Sequence, residues 1–492
     1  MRGVIPGNAS VKTQAARGAL ATLAGQVVRF VIQLASIVVL SRILGPSVIG
    51  LFAMIVMIVA FGEVVRDFGM SSAMIQAEVV TQGQRSNLFW VNSTIGLVLT
   101  VACAASAPLT ASFYESPDLA PACVAISVVF LLGGIGTQFR AQLTRDFRFT
   151  AISSIDVFAA LSALIVAVVL ALLGAGLWAL VIQQITTAAT TTLLNMAAAR
   201  WMPSLPSRHA GTRALLKFGW HVGLTQVINY VSRNVDTVVV GSMFGATSLG
   251  FYNRAYQLMT VPINQLSTPA TKVAFPVLSR IRDDRQRYVR FLLIGQRALV
   301  HVVALVFVFT IVIAPAGIDI ALGTEWSDVA PIYQILAVGG LAQAASFASY
   351  WVFLSQGKTR EVLTMTALTR GVLVAAIIGG AFFGVIGVAL GYAIVVVLTW
   401  PSFLVFLNKV CPEVPAARMF FQPAALYVIY GIAGGAAYLS TVSIDSSWLV
   451  VSVAAFVYLF VLILLYGLIR RFREDVREVV TLRHLVRGGP DG

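Results

Sequence analysis

The stretch SWLVVSVAAFVYLFVLILLYGLI, Ser447 to Ile469, carries no charged residue and no proline. As a helix it rises about 30 Å, the thickness of a bilayer's hydrocarbon core. Comparable apolar runs recur along the whole chain, separated by short polar connections. Such a chain is a polytopic membrane protein and not a soluble domain with a large core. The composition agrees: 58% of the 492 residues are hydrophobic and 11% are charged, against roughly 25% charged in an average globular chain.

The expected fold is therefore an all-α bundle of about fourteen membrane helices. The first is read over 17–40, the seventh over 215–240, the eighth over 247–270 and the last over 448–469. The expected organisation is a cytoplasmic N-terminal segment (1–16), an N-lobe (17–200), a C-lobe (201–410), two further helices (411–469) and a cytoplasmic amphipathic tail (470–492). In that tail Phe472, Val476, Val479, Leu482 and Val486 recur at helical spacing among basic residues, the pattern of a helix lying on a membrane surface or of a solvated tail.

The net charge of +14 is spread between the apolar runs and forms no single patch, which argues against nucleic acid as a partner. It alternates from one connection to the next. One set holds Lys12 and Arg17, Arg85, Arg140, Arg145 and Arg148, Arg200 to Lys217, Lys272 to Arg290, Lys358 and Arg360, Lys409 and Arg418, and the tail from Arg470. The other set holds Glu115 and Asp118, Asp319, Glu325, Asp328 and Asp445, with Arg42 as its basic exception. The positive-inside rule places the first set, and with it both termini, in the cytoplasm. Cys103, Cys123 and Cys411 show no redox or metal spacing, and His209, His221, His301 and His484 form no ligand set.

The chain also repeats itself. A shift of 200 residues lays LGPSVIGLF, from Leu44, on FGATSLGFY, from Phe244, so that Gly45 meets Gly245 and Gly50 meets Gly250. A shift of 210 lays Asp118 on Asp328 and Gly174 on Gly384. Two halves of about six helices in the same orientation follow, the plan of a transporter whose substrate lies between its repeats.

The repeat bears on the polar residues inside the spans. Gln226, Asn229, Arg233 and Asp236 line one face of the seventh helix, and Gln26, Arg29, Gln33 and Ser36 line the matching face of the first. The eighth helix adds Asn253, Arg254, Gln257 and Asn264; the fifth holds Asp156 and the eleventh Arg370. A charge facing lipid costs at least about 2.5–3.5 kcal/mol. These groups therefore line protein contacts or a watery cavity. The candidate site is Arg29, Arg233, Arg254 and Arg370 with Asp156 and Asp236, a net positive set, plus Gln26, Asn229, Asn253 and Gln257 as amide partners. An Arg233–Asp236 pair that merely ties helices together is the simpler alternative.

Leu40 to Gln76 and Ser232 to Asp284 resemble the Wzx-type polysaccharide flippases of the multidrug/oligosaccharidyl-lipid/polysaccharide exporter superfamily, in the colanic-acid-exporter-like branch. That resemblance implies two six-helix lobes in a V around a central cavity, with two extra helices. It implies a flippase, not an enzyme, that turns undecaprenyl-diphosphate-linked oligosaccharide across the bacterial inner membrane by alternating access. Polysaccharide polymerase and export machinery are the implied partners besides membrane lipids. In related lipid flippases arginines on the first and eighth helices engage the diphosphate, which here falls to Arg29 and Arg254. No cofactor is expected; coupling to protons or sodium stays open, with Asp236 or Asp156 as the titrating group.

Two other classes stay in view. A cation or drug antiporter on the same fold favours an acidic cavity, and a membrane-embedded polymerase or ligase carries a large outer loop with catalytic groups. The GKT at Gly357 lacks the earlier glycine of a phosphate loop, with Val352 in its place, and reads as a turn.

Overall fold

The computed structural model describes residues 8–67, 74, 80–207, 230 and 234–487. All regular structure among them is helical, and the chain divides into two compact units, Met1–Gly250 and Phe251–Gly492.

The first unit contains α1 (Asn8–Ile43), α2 (Pro46–Asp67), α3 (Gln82–Phe113), α4 (Leu119–Ile126), α5 (Val128–Arg145), α6 (Phe149–Leu172), α7 (Leu177–Ala199) and the start of α8 (Val235–Arg280). Helix α1 lies along α6, α6 along α7, and both α3 and α7 along α5. Small residues permit this. Ala159, Ala163, Ala167 and Ala171 recur every fourth residue on the buried side of α6, while Phe158, Leu161, Ile165 and Val169 are exposed. Without a hydrophobic drive between helices in lipid, association rests on such close backbone approach. Helix α3 starts on a reciprocal cap: the Gln84 amide N–H donates to the Thr81 hydroxyl at 3.2 Å, and the Thr81 N–H donates to the Gln84 side chain at 3.0 Å.

The second unit contains the rest of α8, then α9 (Arg285–Val312), α10 (Ala314–Ala321), a 3₁₀ turn (Thr324–Trp326), α11 (Val329–Ser355), α12 (Thr359–Ala381), α13 (Gly384–Val410), α14 (Ala416–Thr441), α15 (Ser447–Leu468) and α16 (Arg470–Arg487). Helix α9 packs on α11 and α14, α11 and α12 on α13, and α14 on α15. Among the described residues twelve spans are long and apolar enough to cross a bilayer. The chain is a multi-pass membrane protein. The expected seventh helix falls mostly outside the described residues.

The internal repeat is visible in backbone detail. Gly174, between α6 and α7, and Gly384, the first residue of α13, have φ of 80° and 79°. Both turns need the left-handed region that a side chain resists. Asp118 and Asp328 both stand as N-caps, before α4 and α11. The packing of α3 on α5 and α6 on α7 reappears as α9 on α11 and α12 on α13.

Helix α8 is kinked at Gly245 (φ 76°), where two helices join, and beyond that kink it runs past the 247–270 expected of the eighth helix to Arg280. Pro262, Pro269 and Pro276, each a residue that ordinarily kinks or ends a helix, lie inside this stretch without interrupting it. The heptad spacing puts the carbonyls freed by the three prolines on one side of the helix, so none of the other faces loses its ladder. The GKT segment is the turn between α11 and α12. Cys103, Cys123 and Cys411 are free and buried, and burial raises the Cys411 thiol above its ordinary pKa.

The tail also differs. The start of its apolar face is used against the rest of the second unit: α16 packs on α9 and α15, and Phe472, 4% exposed, sits against His301, Tyr430 and Tyr466. Asp475 and Glu478 interrupt the apolar stripe, and the Arg297 guanidinium on α9 donates to both carboxylates. Two acids on a face turned to lipid would be costly; on Arg297 both accept charge-assisted hydrogen bonds and one of the two charges is balanced. Arg297→Ala removes the guanidinium from both carboxylates and is expected to cost about 3 kcal/mol of docking. Trypsin should then cut at Arg470 to Arg477 markedly faster in detergent-solubilised protein, and an unchanged cleavage rate would show that Phe472 alone holds the helix.

Candidate functional site

The polar face of α1 is set by helical spacing. Gln26, Arg29, Gln33 and Ser36 share one side, and the exposed Val27, Val28 and Val31 occupy the other. Gly25 lets α1 approach α6 against Ser153. One turn further along the same pair, Arg29 Nη1 donates to Asp156 Oδ2 at 3.0 Å. Ser36 in turn accepts from the Gln183 amide of α7 at 3.2 Å.

Asp156 has a second and stronger partner. Arg140, on α5, donates from Nη1 to Oδ1 at 2.6 Å and from Nη2 to Oδ2 at 2.9 Å. This is the bidentate arrangement that only a guanidinium offers a carboxylate. The side chains of Arg29, Arg140 and Asp156 are 52%, 41% and 12% exposed. Two cations on one anion leave the cluster with a net positive charge. Arg140 and Asp156 lie within about 10 Å, at 1.5 Å rise per residue, of the ends of α5 and α6 that face each other across the turn, and Arg29 meets them from the interior of α1. The last residue of α5, Arg145, and the connection to α6, with Arg148, belong to the basic set.

Arg140 was not among the residues expected in the site, because the apolar run before it ends at Phe139 and Arg140 read as part of a connection. The helix instead runs on to Arg145. A signal was present: in an antiparallel hairpin turning at Arg148, Arg140 and Asp156 are equally distant from the turn and therefore face each other.

The second cluster lies on α8 within the second unit. Arg254 Nη1 donates to Gln257 Oε1 at 2.7 Å, and Gln257 Nε2 donates to Asn253 Oδ1 at 2.9 Å. Arg254 is 7% exposed. Its Nε has no partner, and among the described residues no carboxylate lies within ion-pair distance of it. An ion taken from water without a counter-charge costs several kcal/mol. The arrangement thus offers a fixed, dry guanidinium, steadied by one amide chain, to an anion from outside the chain.

Asp236, 3% exposed, accepts the Thr237 N–H at 2.9 Å near the start of α8. Arg370 lies half-buried on α12, as do Gln26 on α1 and Asn253 on α8; Asn264 is exposed. Asn229 and Arg233 lie outside the described residues, and with them the expected Arg233–Asp236 pair. A surface groove bounded by Asp319, Thr324, Tyr438 and Asp445 in the second unit contains none of the expected site residues.

Comparison with known proteins fits this chemistry to a family. The lipopolysaccharide biosynthesis protein WzxC of Escherichia coli (strain K12) is 28% identical over 389 residues, 77% of either chain. Among solved structures, the lipid II flippase MurJ in an inward closed conformation matches 92% of this chain and 100% of its own at a TM-score of 0.69 and 15% identity. An inward-facing multidrug resistance MATE family transporter of the MOP superfamily matches 80% of this chain and 98% of its own at a TM-score of 0.57 and 15% identity. These two likenesses are of fold. The model of the family described as "Polysaccharide biosynthesis protein" matches residues 39–331, more than half of the sequence, and the chain belongs to that family.

Proposed function

We propose that the protein is a flippase that carries undecaprenyl-diphosphate-linked oligosaccharide repeat units across the bacterial inner membrane by alternating access, for exopolysaccharide or lipopolysaccharide synthesis. The observation that carries this reading is Arg254: a buried guanidinium held by an amide and lacking a carboxylate partner among the described residues. Such a group suits a phosphate oxygen and repels a cationic drug. The name of the relative WzxC and the fold shared with a lipid II flippase support the same reading.

In this reading the arginines at Arg29, Arg233, Arg254 and Arg370 meet the diphosphate, and Gln26, Asn229, Asn253 and Gln257 offer amides to the sugars. The prenyl tail stays in lipid. The N-lobe and C-lobe, read over 17–200 and 201–410, are the moving parts, and both termini lie in the cytoplasm. Polysaccharide polymerase and export machinery take the product. Proton or sodium coupling through Asp236 or Asp156 belongs to the proposal and is read from how flipping responds to an imposed gradient.

The test is a reconstituted assay. Proteoliposomes holding a fluorescent prenyl-diphosphate sugar are treated with dithionite, and the protein is expected to expose the inner-leaflet pool that protein-free vesicles protect. A cation or drug antiporter is the reading to set against it. Absent lipid exposure together with proton-driven efflux of a cationic dye would establish the antiporter instead.

A further inference from the structure

Asp156 is gripped unequally. Arg140 takes both carboxylate oxygens, at 2.6 and 2.9 Å. Arg29 takes one of them, with one nitrogen, at 3.0 Å. Arg29 is also the more exposed of the two, at 52% against 41%. Arg140 alone neutralises the carboxylate, so Arg29 can leave without stranding a negative charge. About half of its side chain stays exposed on the polar side of α1. The geometry points to an exchange: Asp156 is a built-in stand-in for a phosphate, which holds Arg29 in place in the empty protein and yields it to an incoming diphosphate, while Arg140 stays on Asp156 as a positioning residue. This rests on the flippase reading and adds to it a binding step and the residue that controls it.

The signs follow from charge balance. Without Asp156 the anion no longer competes for Arg29, and diphosphate binding tightens. Without Arg140 the whole carboxylate charge falls on Arg29, and binding weakens although Arg140 itself touches no ligand. Without Arg29 the exchange has nothing to exchange. A tie between helices predicts none of this ordering, since each substitution would loosen the same contact and change melting more than affinity.

The shared chemistry is a diphosphate, which a prenyl lipid or a soluble ion can supply. Full-length protein in nanodiscs is titrated with farnesyl diphosphate in one arm and inorganic pyrophosphate in the other, with empty nanodiscs as blank and melting temperature recorded for each variant. Asp156→Asn is expected to bind farnesyl diphosphate about tenfold more tightly than the natural chain, the size of one charge-assisted hydrogen bond released from competition. Arg140→Ala is expected to bind about three- to tenfold more weakly. Arg29→Ala and Arg29→Ala/Asp156→Asn are expected to bind equally poorly, because the gain requires Arg29. The same ordering with a stronger response to the lipid than to pyrophosphate assigns the site to a lipid headgroup; an equal response assigns it to free phosphate. Farnesyl diphosphate binding that Asp156→Asn leaves unchanged or weakens, in folded protein, overturns the stand-in role and leaves the flippase reading intact. Absence of diphosphate binding by the natural chain and by Asp156→Asn alike overturns both. Should Asp156→Asn fail to fold, Arg140→Ala decides alone, and unchanged affinity there overturns the inference.

Discussion

Arg254→Met is expected to abolish flipping and, in the same protein, to raise the melting temperature. The two effects separate a ligand-binding arginine from a structural one. Arg254 is 7% exposed, hydrogen-bonded to Gln257 at 2.7 Å, and has an unpartnered Nε. Methionine matches the stem of the side chain and removes the uncompensated charge. Replacing buried charges by apolar groups of similar volume is often neutral or stabilising by about 1–4 kcal/mol. Against that, Gln257 loses a donor, a loss of about 1 kcal/mol, while its amide keeps Asn253 at 2.9 Å. The balance favours a more stable protein. The bound diphosphate loses a charge-assisted contact in a dry site, worth about 2–5 kcal/mol when one partner is removed, which corresponds to roughly thirty- to several-thousandfold in rate. Thermal unfolding of purified protein and the dithionite assay measure the two. A lower melting temperature with flipping retained would assign Arg254 to structure alone. Arg254→Lys is expected to recover only part of the activity, since a point charge cannot make the paired contacts.

Gly50→Val and Gly250→Val are expected to remove folded protein from the membrane altogether. Within the first unit a Cβ on Gly50 would strike the Ala246 carbonyl, and a Cβ on Gly250 would strike the Pro46 carbonyl. Each glycine faces the repeat-mate of the other's partner, so the crossing is reciprocal and backbone rests on backbone. Side chains can turn aside, but a carbonyl in a helix moves only with its helix. The expected loss exceeds the ordinary 1–3 kcal/mol of overpacking. Even alanine should destabilise at either site. Gly371 on α12 and Gly435 on α14 have open space where a Cβ would go, and there Gly→Ala should stabilise by about 0.5–1 kcal/mol through helix preference. Detergent-solubilised chromatographic profiles and melting curves of the four alanine variants test the opposite signs. Equal, small effects at all four would show that the crossing yields.

The pairing of Gly50 with Gly250 and of Gly174 with Gly384 was legible beforehand as sequence repetition. What the repeated glycines do was not. Gly174 and Gly384 answer a local demand, a positive φ in a turn, whereas Gly50 and Gly250 answer a distant one, the approach of another stretch of backbone. A string of letters presents both as the same residue. The three prolines of α8 show the reverse: each is a local helix-breaker, and together, seven residues apart, they leave the stretch from the Gly245 kink to Arg280 unbroken.

The site divides along the same line. That Arg29, Asp156, Arg254 and Gln257 sit inside spans follows from hydropathy and spacing, because lipid penalises charge and the period of a helix is fixed. The Arg254–Gln257–Asn253 chain follows too, being a set of neighbours on one helix face. The partners of Asp156 are Arg140 and Arg29, and the partner of Asp475 and Glu478 is Arg297, 178 and 181 residues away. Sequence alone determined that the chain crosses the membrane many times, that it is built twice over and that its spans carry a surplus of cations, since each of these is a matter of composition, period or repetition along one dimension. Only the tertiary structure decided which cation meets which anion, that Arg254 meets no carboxylate among the described residues, and that Phe472 of the tail lies on protein. Those outcomes depend on contacts between helices distant in the chain, where a shift of one turn changes every partner.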